Sequence, residues 1–158
     1  MKSETSATTT SLYDIDYQRW LSETLVQLRS RNFGHLDLEN LIEEFESLGK
    51  REKRALASYL MRLCEHLLKL KYWEAERELS YRGWKVEIRN FRLQIARILE
   101  DSPSLKIYLT ENFEREYCNA RKLFLDASNL VENSLPVQPC FSLEEALEED
   151  WLPVQPEA

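Results

Sequence analysis

Five side chains decide which chemistry is open to this chain: the histidines His35 and His66, and the cysteines Cys64, Cys118 and Cys140. A general base or a metal site is most readily built around an imidazole, and a Cys/His dyad needs the two side chains within reach of each other. His66 sits in "CEHLLKLKYW", residues 64 to 73, inside a run of leucines. On a helical wheel with Leu56 at the origin, Leu63 and Leu67 fall within about 20° and His66 at roughly −80°, between Tyr59 and Trp73. His66 therefore borders an apolar face, and Glu65 points away from it. That position favours a partly buried imidazole bonded to a carboxylate or a backbone carbonyl over a metal ligand or base. Cys64 lies about 160° away around the same helix, so it forms no dyad with His66. A di-iron bundle asks for Glu-x-x-His on each of two helices, but Asn32 and Leu63 stand three places before the two histidines. The metal chemistry left is a single ion held by His66 with Glu43 and Glu46, a weak set. No cofactor is expected.

The three cysteines are far apart, odd in number and without a CxxC pair, and so read as reduced thiols of a cytoplasmic protein. The start, "MKSETSATTTS", has no apolar core of a secretory signal. Charges interrupt every apolar stretch before the ~20 residues of a membrane span, which implies a soluble chain. Only 3 glycines and 5 prolines occur in 158 residues, too few for a β-rich fold or a glycine-rich phosphate loop.

Charge is unevenly placed. Residues 50 to 97 hold 13 Lys and Arg against 6 Asp and Glu, a local +7 in a chain of net −7. Within that stretch Arg82, Lys85, Arg89 and Arg92 recur at helical spacing and make a candidate interaction face. Glu39, Glu43 and Glu46 recur at i, i+4, i+7 further upstream, and two such rows pair when their helices pack side by side.

Periodicity supplies the elements that carry these rows. A first helix is expected from Asp14, as cap, to Ser30. A second starts at the Asp37 cap, carries Leu38, Leu41, Ile42, Phe45 and Leu48, and stops near Gly49. A third runs from Arg51 to Trp73 on a leucine stripe and takes the centre of a bundle. A fourth spans Tyr81 to Glu100. A fifth begins with Ser102 as N-cap and Pro103 at the first helical position, and ends near Ser128. "LPVQP" occurs at 135 to 139 and again at 152 to 156, bracketing "SLEEALEEDW", a short acidic helix with a Ser142/Glu145 capping box and Trp151 as anchor. The expected organisation is a Ser/Thr-rich tail over 1–12, a helical bundle over 13–130 and a C-terminal extension over 131–158 whose helix docks on the bundle.

The segments "YDIDYQRWL", "LDLENLIEEFESLGKREKRAL", "RLCEHLLKL", "EIRNFRLQIARILEDSPSLKIYL" and "LEEALEEDWLP", in that order over residues 13 to 153, resemble a bacterial family described as domain of unknown function twenty-nine. The resemblance implies an all-helical fold and transfers no catalytic residue.

The expectation is thus an all-α bundle of about five main helices with a short acidic C-terminal helix. As function, a non-enzymatic cytoplasmic interaction protein leads, its partner another protein or a second copy, with no membrane involved. The acidic 144 to 150 segment would dock on the basic middle of its own chain or of another subunit, in competition with an outside partner. The alternatives are a nucleic-acid binder that uses the basic 50 to 97 region, with Tyr72, Trp73, Tyr81 and Trp84 as aromatic neighbours, and a metal-dependent enzyme centred on His66.

Overall fold

In the computed structural model, which describes residues 11–153, every regular element is helical. The helices are α1 (Leu12–Ile15), α2 (Tyr17–Arg29), α3 (Leu38–Tyr72), α4 (Glu74–Asp101), α5 (Leu105–Ser128) and α6 (Leu143–Leu147). The all-α class holds. The tail expected over 1–12 lies outside the described residues except at Ser11 and Leu12, and of the second "LPVQP" copy only Leu152 and Pro153 are described. Among the described residues no helix is long and apolar enough to cross a membrane.

The chain divides into two units, one ending at Gly49 and the other beginning at Lys50. In the first, the expected helix from Asp14 is two helices. Asp16 interrupts it with φ −148° and caps α2, its carboxylate accepting from the Arg19 amide at 3.0 Å. Asp16 offers that amide a side-chain acceptor, which breaks the preceding turn and starts the next. Around α2, Trp20 is buried and its Nε1 donates to Asp37 at 3.1 Å. Tyr13 and Tyr17 pack against it edge-on and stacked, at ring distances of 4.8 and 5.9 Å.

The second unit is built on a core of α3, α4 and α5. Leu56, Leu60, Leu63, Leu67, Leu68 and Leu70 of α3 are fully buried, each contributing about 2 kcal/mol of transfer free energy. Ile88 and Ile95 of α4 and Leu109, Tyr117 and Phe124 of α5 close on them. The turn from α3 to α4 is a single non-helical residue, Trp73, stacked on Trp84 at 5.8 Å. Arg77 fastens it by donating from Nη2 to the Lys71 carbonyl at 2.8 Å. Hence α4 starts seven residues before the expected Tyr81, because "EAEREL" is made of good helix formers with no inward stripe to reveal them. The fifth helix also begins differently. Ser104, not Ser102, precedes it, and the Ser102 hydroxyl donates to Glu52 instead of capping. Asn129 ends α5 in the left-handed conformation at φ 54°, where its short polar side chain tolerates the strain.

The largest departure from the sequence expectation is at Gly49, which ends nothing. α3 runs without a break through it, and no glycine has positive φ. Nothing lies within 4 Å of a Cβ added there. Gly49→Ala is therefore expected to stabilise the helix by about 0.5 to 1 kcal/mol. Circular dichroism followed through thermal unfolding checks this, and a fall in helicity or midpoint would mean that the helix does break at Gly49.

Candidate functional site

The immediate surroundings of His66 are those of a structural imidazole. Its Nδ1 lies 2.8 Å from the Arg62 carbonyl one turn back, so that nitrogen carries the proton and donates. Phe91 meets the ring edge-on at 5.4 Å. Burial lowers its pKa from the ordinary histidine value, more than the carbonyl bond raises it. Glu43 and Glu46 do not face it from a neighbouring helix, since the stretch expected to be that helix is the start of α3 itself. Among the described residues no group of three or more His, Cys, Asp or Glu side chains is placed to hold a metal ion. The three thiols are free, and burial pushes that of Cys64 up.

Glu65 corrects the wheel. It is buried, not turned to solvent, with Arg62 Nη1 and Lys69 Nζ each 2.9 Å from one of its oxygens. Burial pushes its carboxyl up, and the two cations more than offset that, leaving it below the usual range. The signal was present in the spacing, because Arg62 and Lys69 stand at i−3 and i+4, where helical side chains meet.

The basic row of α4 separates into two kinds of cation. Arg92 is buried and donates from all three guanidinium nitrogens to backbone carbonyls: Nε to Ala146, Nη1 to Glu149 and Nη2 to Trp151, each at 2.8 Å. The Ala146 carbonyl belongs to the last turn of α6, where helical carbonyls lack partners and attract cations. Arg92 thus holds the C-terminal segment to α4 and is no part of an exposed face. Arg89 stays in solvent and meets Glu149 at 3.3 Å and Asp150 at 3.8 Å. Arg82 and Lys85 are exposed and, among the described residues, form no ion pair. A cavity of about 170 Å³ lies between this row and the C-terminal segment, lined by Tyr81, Lys85, Arg89, Arg92, Glu149 and Asp150 among others. α6 carries the full Ser142/Glu145 capping box, and Trp151 packs on Phe141 at 5.9 Å.

The acidic row belongs to the unit ending at Gly49. Beside Glu39, Glu43 and Glu46 on α3, the large side chains Leu38, Ile42, Phe45 and Leu48 are between 51% and 64% exposed. Another side of the same helix is fixed by α1 and α2 instead: Glu44 accepts from Tyr13 of α1 at 2.6 Å and from Tyr17 of α2 at 2.9 Å, and at the helix start Asp37 accepts from Trp20 and from the side-chain amide of Asn40. The bond to Glu44 raises the Tyr13 phenol to about 12. So the stripe that periodicity assigns to a core is turned outward on a braced helix.

Two outcomes follow. Arg92→Met is expected to strand three carbonyl acceptors and cost about 3 kcal/mol, with hydrogen exchange accelerating over residues 141–152. Arg92→Lys fails to restore protection, since one ammonium cannot reproduce the fork. For His66, a folded pKa below the unfolded value near 6.5 gives stability that is complete above that pH and is lost as pH falls towards the folded value. Urea midpoints at pH 7 and pH 5 are expected to drop less in His66→Gln than in the parent, and equal drops would contradict this origin.

No curated protein and no solved structure matches this chain. One family model does, over residues 12–152, nearly the whole chain. The chain therefore belongs to the family described as domain of unknown function DUF29.

Proposed function

We propose that the chain is a non-enzymatic, cytoplasmic protein-interaction module whose docking surface is the stripe Leu38, Ile42, Phe45 and Leu48. The observation that carries this reading is their exposure: four large apolar side chains on one helix face, each more than half open to solvent. Isolated apolar residues at a surface are ordinary, but a contiguous face marks a binding site. Spacing at i, i+4, i+7 and i+10 is that of an amphipathic helix that lays one face on a partner. The bonds from Tyr13 and Tyr17 to Glu44 hold the helix before a partner arrives, which lowers the ordering cost of docking. The acidic row beside the stripe selects among partners by charge.

Phe45→Ser is expected to weaken docking about tenfold or more, as loss of a central aromatic anchor does, while leaving the helical content unchanged because the side chain is exposed. Native lysate passed over immobilised parent and variant checks it. Proteins retained by the parent and released by the variant are the expected result, and an identical retained set would overturn the choice of surface.

A further inference from the structure

α4 carries an outward file of its own. Leu79, Val86 and Leu93 are 86%, 61% and 50% exposed. They are spaced by seven residues and fall within about 40° on the wheel, opposite the inward Ile88 and Ile95. Arg82, Lys85 and Arg89 run along one border of this file, some 60 to 120° to the side of decreasing angle. On α3, the acidic row Glu39, Glu43 and Glu46 borders its stripe at about 80 to 140° to the side of increasing angle. Each face is a narrow apolar strip with a row of single sign along one edge, and the signs are opposite.

We infer that the partner is a second copy of this chain, the α3 stripe of one copy lying along the outer face of α4 of the other, with the two helices parallel. The inference rests on the stripe being the docking surface. Orientation follows from the borders. When two helices pack face to face in parallel, opposite flanks come to the same side, as in a parallel coiled coil. That sets Glu39 opposite Arg82, Glu43 opposite Lys85 and Glu46 opposite Arg89, a match of 4-3 spacing with 3-4 spacing. Antiparallel pairing of two α3 stripes would instead face glutamate row to glutamate row, which like charge disfavours. Each copy carries both faces, so a closed dimer is one that makes this contact twice. Arg89 is shared with Glu149 and Asp150 over exposed contacts, so Arg82 and Lys85 are the cleaner probes.

Sedimentation velocity of the full chain, from micromolar to submillimolar concentration, tests this. The parent is expected to pass from monomer to dimer. A chain bearing Glu39→Lys, Glu43→Lys and Glu46→Lys, and another bearing Arg82→Glu and Lys85→Glu, are each expected to associate about a hundredfold or more weakly. Mixed in equal amounts, the two recover the dimer, because each contact then joins opposite rows again; two misfolded chains would not do so. A parent that stays monomeric, or a dimer indifferent to both reversals, overturns the second copy as partner. The lysate comparison with Phe45→Ser is independent of this outcome. Stripe-dependent capture of a different protein would leave the docking surface standing while the second copy falls.

Discussion

The leucines of α3 are the constraint on which the rest of the chain depends. A single helix of 35 residues carries an apolar stripe along its length, and that stripe has two fates. From Leu56 onward it is the centre of the second unit, with no solvent access at Leu56, Leu60, Leu63 or Leu67. Before Gly49 the same kind of residue at the same spacing stands exposed. Continuity of the backbone makes this possible, because the hydrogen-bonded ladder propagates past a glycine for about 1 kcal/mol, while burial on the inner part holds the helix in register. The exposed turns are braced within their own unit, by the bonds from Tyr13 and Tyr17 to Glu44 and from Trp20 to Asp37.

Electrostatics distributes the basic middle of the chain in the same way, part inward and part outward. Arg92 takes up the unsatisfied carbonyls of the last helix and its following turn, and Lys69 and the half-exposed Arg62 share the buried Glu65 carboxylate at the edge of the core. Arg92 and Glu65 are themselves buried, so removing their partners strands them, and these contacts serve the fold. Arg82, Lys85 and Arg89 remain on the surface, where single ion pairs are worth little and a row of them chiefly selects orientation. A basic stretch that looks uniform in the sequence thus contains internal clamps and external guides.

What was legible in the sequence was local. The Ser142/Glu145 capping box depends on four consecutive residues and formed as read, and the wheel placed His66 at the margin of the stripe, where it bonds a carbonyl one turn back. Gly49 misled because glycine permits a helix end without requiring one; only a positive φ would have demanded it. Arg92 was illegible for a different reason. Its acceptors are backbone carbonyls 54 to 59 positions away, and main-chain groups leave no mark in composition. Leu79, Val86 and Leu93 keep a visible seven-residue spacing, but they lie opposite the stronger Ile88 and Ile95 stripe of the same helix, which dominates its periodicity.

The central claim is that one unbroken helix is core over its inner part and docking surface over its first turns. Native-state hydrogen exchange along α3, measured as a function of protein concentration, tests it most directly. Amides of residues 56–70 are expected to exchange only through global unfolding at every concentration. Those of residues 41–48 are expected to exchange much faster in dilute solution and to gain protection as concentration rises. Uniform protection from one end of α3 to the other, independent of concentration, would contradict the account.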